Sequence, residues 1–380
     1  MKICKLASGL AGLTVALVVA GEARAATTAY DLLDQFNAIV FGDFSNNADV
    51  EGRAVVGGNL TGGASFYIRP SAQDQATSLA ALNVYGNATA AKTYNFNNAG
   101  AAFIAGSNSA SFNMNGGGSL TVGGNNAGNA NMNGGNLYLG GNTSGSVNLN
   151  GGAHAYMTAS AANTGTISPS SAVIKPYTYT DTLPDLVSQI ETPLKSLSAQ
   201  LSAATANSTF PTIASLQGNF NNVQINATPN AAGLAVFTVS AAVLSQFASF
   251  QVNPNGASTV IFNVDCGSNA CSYTDNANQQ FGSTSLAQLA PSLIWNFYNA
   301  GSVTVNNELA GTVLAPYATV TNHSPIDGTL VAASYSGNGE LHDYPFHGRP
   351  VPTPEPAGVA ILGIALAGLL GLRRLRASAN

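Results

Sequence analysis

The chain has 380 residues, of which only 8% are charged, with 41 glycines and 3 cysteines. Residues 26–350 carry six basic and 15 acidic side chains, a net of −9, which disfavours nucleic acid or an anionic membrane surface as a partner. Such a surface must be polar through Asn, Ser, Thr and backbone groups. Walker-type loops and Gly-x-Ser-x-Gly elbows are absent from the sequence, so no cofactor is expected.

Residues 1–25 read as a signal peptide. Lys2 and Lys5 precede a short apolar run, and Ala23-Arg24-Ala25 supplies the small-x-small site that signal peptidase accepts. A short helix is expected over 30–40, with Leu33, Phe36 and Ile39 inward. Residues 49–60 look like an early coil of a larger repeat. Asp43, Asp49, Glu51 and Arg53 form a charged cluster here, expected as a salt-bridged cap at a solenoid mouth rather than a cation site.

Residues 94–160 are the clearest repeat. A central apolar residue recurs at Phe96, Met114, Met132 and Leu149, steps of 18, 18 and 17. A second apolar row runs through Ile104, Val122, Leu139 and Tyr156 at steps of 18, 17 and 17. Two rows sharing one period indicate β-strands stacked coil on coil, with side chains alternating in and out. Outward positions then form two asparagine rows: Asn95, Asn113, Asn131, Asn148 and Asn97, Asn115, Asn133, Asn150. Such rows can hydrogen-bond along a stack, and they offer an uncharged polar face suited to glycans. His154 stands alone in this repeat. Thr121, Thr143 and Thr158 do not fall on one row, which counts against ice binding.

A long amphipathic helix is expected over about 183–204, with Leu183, Leu186, Val187, Ile190, Leu194, Leu197 and Leu201 on one stripe. Thr182 with Asp185 would cap it, Pro184 would sit in its first turn and Pro193 would kink it. Residues 234–264 mix strand and helix, with a good strand at 258–264. Cys266 and Cys271 form an even pair in an exported chain. This suggests a disulfide contributing roughly 2 kcal/mol, not a metal site. A 17-residue step returns at Gly311–Ala315 and Gly328–Ala332, after an alternating face at 302–306, so the solenoid is built from both ends of the mature chain. His342, Asp343 and His347 are expected to close the last coil rather than to bind metal.

The last residues, 351–380, begin with a stiff Pro-rich stretch containing Pro354, Glu355 and Pro356. An apolar segment at 357–372 and three arginines follow. This order resembles the PEP-CTERM sorting signal. The resemblance implies a transmembrane anchor through the C-terminal helix, an exosortase as partner, and display on a Gram-negative bacterium that makes exopolysaccharide.

The body has its own resemblance. Phe36–Phe44, Asp49–Arg53, Val56–Asn59, Leu293–Asn299, Gly311–Pro316 and Gly339–His342 look like the choice-of-anchor A domain, across almost all of 26–350. That resemblance implies an adhesive β-helix. The fold expected is a mainly β, right-handed β-solenoid of about 17–18 residues per coil with the long helix alongside. The function expected is a non-enzymatic surface or matrix adhesin associated with exopolysaccharide or other glycans. An ice-binding solenoid is the alternative, and a polysaccharide-modifying enzyme a weaker one: no acid lies between Asp74 and Asp181 to serve catalysis.

Overall fold

The computed structural model describes residues 28–348 apart from 91, 171–173 and 268–269. The expected signal peptide at 1–25 and the expected sorting tail at 351–380 therefore lie outside the described residues. Nearly every pairing between strands is parallel and in register, and together they build a stack of three-faced coils. On one face, which the long helix covers in part, Ala38–Val40, Ala54–Val56, Leu82–Val84, Ala102–Ile104, Leu120–Val122 and Leu137–Leu139 lie one above another. The second face is flat and the third carries the asparagines.

The order of coils is not the order of the chain. Ala38–Val40 sits mid-stack, between Ala54–Val56 on one side and Leu330–Ala332 on the other. From there the chain climbs outward to Lys175–Tyr177, returns through the long helix, and builds inward again from Leu234–Ser240. The expectation of a solenoid built from both ends thus has a physical form: the last coil hydrogen-bonds to the first.

Both repeat rows correspond to pairing in the stack. Phe96, Met114, Met132 and Leu149 are successive partners, buried inside. The second row needs one correction. Leu139 pairs with Met157, whereas Tyr156 pairs with Tyr138 on the outer side. The 18-residue step inserts one residue there, and a one-residue shift moves a strand side chain to the opposite face.

The helix explains which strands are buried twice. Ile190, Leu194, Leu197 and Leu201 pack against Ile39, Val55, Val236, Ile261, Ile294, Leu314 and Val331 in a second core outside the stack. Strands beneath it are buried throughout, as at Ala54–Val56, while Leu120–Val122 beyond it keeps its outward Thr121 half-exposed. Asn263 and Asn296, trapped under the helix, are satisfied. Asn296 Nδ2 donates to Ser198 O (2.9 Å) and Asn263 Oδ1 (2.8 Å), and Asn263 Nδ2 donates to Leu201 O (2.6 Å).

Several helix expectations change in detail. Val187 is 58% exposed, because a π-turn at Val187–Glu191 rotates it off the stripe. That wider turn stands where Pro193 was expected to kink the helix, just before Pro193, which has no N–H to donate. Asp185 itself receives the Ser188 N–H at 2.7 Å, so Thr182 is not the cap and Pro184 precedes the helix. The first helix spans Ala29–Gln35, capped by Thr28 and Asp31, and Ile39 lies on the following strand.

Asn37 ties the two halves together. Its Nδ2 donates to Gly328 O and His342 O, both at 2.9 Å, and its Oδ1 accepts from Gly52 N at 3.2 Å. Asn37→Leu should cost about 2–3 kcal/mol, since it strands buried backbone groups from both halves. A chemical-denaturation midpoint unchanged by this substitution would show that the junction is held by strand pairing alone.

Candidate functional site

The expected asparagine rows form as ladders. Asn113 Nδ2 donates to Asn95 Oδ1 (2.9 Å), Asn131 to Asn113 (2.6 Å) and Asn148 to Asn131 (2.6 Å). The outer row repeats this, with Asn115 donating to Asn97 and Asn133 to Asn115, both at 3.2 Å, and Asn150 in register with Asn133. Each linking amide uses one N–H along the stack and keeps the second. A third ladder, invisible as such in the sequence, is buried. Asn108 Nδ2 donates to Asn126 Oδ1 (2.7 Å) and Asn126 Nδ2 to Thr143 Oγ1 (3.2 Å), which is why Thr143 is fully buried.

The flat face carries a row of hydroxyls that follows no fixed period in the sequence. Thr274 pairs with Thr304, Thr304 with Thr321, Ser336 with Ser45, and Ser45 with Thr61. Continuing through the bridges that start at Leu60 and Ala88, the same outward position holds Thr89, Ser109, Ala127, Ser144 and Thr164. A parallel row runs Ser272, Ser302, Thr319, Ser334, the last two joined hydroxyl to hydroxyl at 2.8 Å. None of these outward side chains is buried, and each lies about 4.8 Å from the next. The row crosses both halves, so it has no single period in sequence. Its local signal is hydroxyl–apolar–hydroxyl triplets such as Ser302-Val303-Thr304 and Thr319-Val320-Thr321.

The charged residues do something different from what was expected. Asp43, Asp49, Glu51 and Arg53 are not a cap at a mouth, since they stand mid-stack where the halves join. Asp43 Oδ1 accepts from Asn59 N (2.7 Å) and begins a ladder of side-chain oxygens that cap the next coil's N–H groups: Asn59 for Asn87, Asn87 for Ser107. Glu51 pairs with Arg69, and Arg53 with Asp74, both at 3.1 Å. Asp343 brings the C-terminal half into this group, its N–H donating to Glu51 Oε2 at 3.1 Å. Burial and the neighbouring Asp343 carboxyl push Asp74 up to about 8.

His342 bridges Asp327 (2.5 Å) and Glu340 (2.9 Å), and those contacts raise it to about 9. His347 pairs with Asp34 at 3.0 Å. These contacts close the last coil, and no cluster able to hold a metal ion occurs among the described residues. Cys266 and Cys271 are joined, with Cα atoms 5.7 Å apart.

A family model described as an ice-binding-like adhesive domain matches residues 29–127 and 111–343, most of the chain. The chain belongs to this family. The adhesive domain accordingly spans both halves of the stack, including the junction at Asn37, and its family description is that of an adhesive module rather than of an enzyme. No curated protein matches the chain. Among solved structures, it is similar to the crystal structure of an ice binding protein from an Antarctic bacterium of the Flavobacteriaceae. Identity is 13% over 86% of this chain and 85% of that one, with a TM-score of 0.25.

Proposed function

We propose that this is an exported, non-enzymatic surface or matrix adhesin whose flat face binds hydroxyl-rich polymer such as exopolysaccharide. The observation that carries this reading is the Ser/Thr row on the flat face, which crosses both halves and is broken by Ala127. Regular outward hydroxyls on a rigid parallel stack present repeated donors and acceptors to a repeating ligand without ordering any loop, which keeps the entropic cost of binding low. The signal peptide and the PEP-CTERM-like tail support delivery by signal peptidase and an exosortase to the surface of a Gram-negative cell. The choice-of-anchor A resemblance fits the same role, and its coil length and right-handedness belong to this reading too.

Two other readings rest on specific observations. The asparagine ladders keep an N–H per amide for a glycan on the third face. The Ser/Thr row, with the family's ice-binding-like description, favours ice as a second ligand for the flat face.

Co-sedimentation of residues 26–350 with exopolysaccharide, alongside an ice-partitioning assay, separates them. Thr304→Lys with Thr321→Lys should lower polymer retention at least tenfold, as expected when central contacts are lost. Asn113→Ala with Asn131→Ala and Asn148→Ala should leave it unchanged. The reverse pattern would move the contact to the asparagine face. Partition into ice without polymer retention would replace the ligand.

A further inference from the structure

Tyr317 is 51% exposed, and no other Phe, Tyr or Trp ring is exposed among the described residues. It stands two residues before Thr319 of the flat face, at the corner with the helix-covered face. Tyr298 occupies the outward corner position of the preceding coil. Between them lies a cavity of about 360 Å³ lined by Ala270, Tyr298, Asn299, Ala300, Gly301 and Tyr317. This volume is at the small end of ligand sites.

The amide that lines the cavity is fixed and uncharged. Asn299 is held at both ends, its Oδ1 accepting from Cys266 N (3.1 Å) and its Nδ2 donating to Asp265 Oδ1 (3.0 Å). Asp265 also accepts from Gly267 N at 2.8 Å, and these contacts hold its carboxyl below the usual range, so it stays an acceptor. The nearby cation is already matched: the Lys195 ammonium lies 5.2 Å from the Tyr317 ring centre and is paired with Glu191.

We infer that this cavity is a saccharide subsite, taking one uncharged pyranose ring from a polymer lying on the flat face. Aromatic faces accept the C–H face of a sugar, while the fixed Asn299 amide, with one N–H and one lone pair left, takes its hydroxyls. An anionic ligand finds no free cation here. A purely apolar ligand would leave the remaining Asn299 N–H and lone pair unused. The inference rests on the polysaccharide reading of the flat face, to which it adds a residue-sized pocket at the edge.

The test is saturation-transfer NMR on the full chain in detergent, with cellotriose and isomaltotriose as probes and a neutral Gly-Ser tetrapeptide as the competing chemistry. Transfer from at least one trisaccharide is expected, about tenfold weaker with Tyr317→Ala and nearly restored with Tyr317→Phe. Both substitutions are at an exposed position outside the core. Trisaccharide binding that survives Tyr317→Ala, or transfer only from the peptide, overturns the inference. If no trisaccharide binds but polymer still co-sediments, the pocket fails and the flat-face reading stands. If neither binds, both fail.

Discussion

Trp295→Ala should lower the unfolding free energy by about 4 kcal/mol, as large-to-small changes at aromatic core positions do. The indole is buried inside the C-terminal half, stacked 4.1 Å from the Phe262 ring and met edge-on by Phe250 at 5.8 Å. Its Nε1 donates to Ala310 O at 2.9 Å, so truncation leaves both a void and a buried carbonyl without its donor. Trp295→Phe keeps much of the packing and loses the hydrogen bond, for about 1–2 kcal/mol. Urea denaturation followed by far-ultraviolet circular dichroism reads both. A loss below about 1 kcal/mol for the alanine variant would show that neighbouring coils close the space without cost.

Stability is also expected to fall as the pH rises from about 4 to 9. Asp275 is pushed from 3.8 up to about 7, chiefly by burial, and its Oδ2 has no hydrogen-bond partner. A carboxyl that holds its proton more tightly when folded contributes stability below its unfolded pKa. That contribution is lost as the pH climbs through the folded value. At about 1.4 kcal/mol per pH unit, the rise at Asp275 is worth about 4 kcal/mol. Asp74 follows the same course up to about 8, Asp343 is raised by burial in the same direction, and His342, raised from 6.5 to about 9, adds a loss between those values. Asp275→Asn should therefore stabilise the fold at pH 9, change it little at pH 4, and flatten the profile between. Equal denaturation midpoints for the unaltered chain at pH 5 and 9 would contradict this account.

How much of this the sequence exposes depends on whether the partners in each contact are near one another along the chain. Residues 94–160 climb the stack one coil at a time, so their partners lie 17 or 18 residues apart and the period is visible. The asparagine ladders follow directly from that period. The same holds for the 17-residue step that places Val313 beside Leu330. Tyr156 falls off the inner row because a period carries no information about where an extra residue bulges out.

The junction and the flat face were hidden for the opposite reason. Asn37 reaches Gly328 across 291 residues, and Asp343 reaches Glu51 across 292. Charges that look like a local cluster, such as Glu51 and Arg53, instead take partners from other coils, Arg69 and Asp74. The Ser/Thr row mixes residues from both halves and includes Ala127, so no composition count or fixed step assembles it.

The sequence by itself determined the parallel β-coils, the apolar interior of the repeat, the long helix and its buried stripe, and the asparagine rows. Those depend on alternation and periodicity, which are properties of neighbouring residues. Only the tertiary structure decided that the first coil lies mid-stack against the last, that one hydroxyl face runs unbroken across that junction, and that Tyr298 and Tyr317 flank a cavity. Each of these requires two distant segments to be in register, and register between strands far apart in sequence is set by the packing of the whole stack rather than by either strand alone.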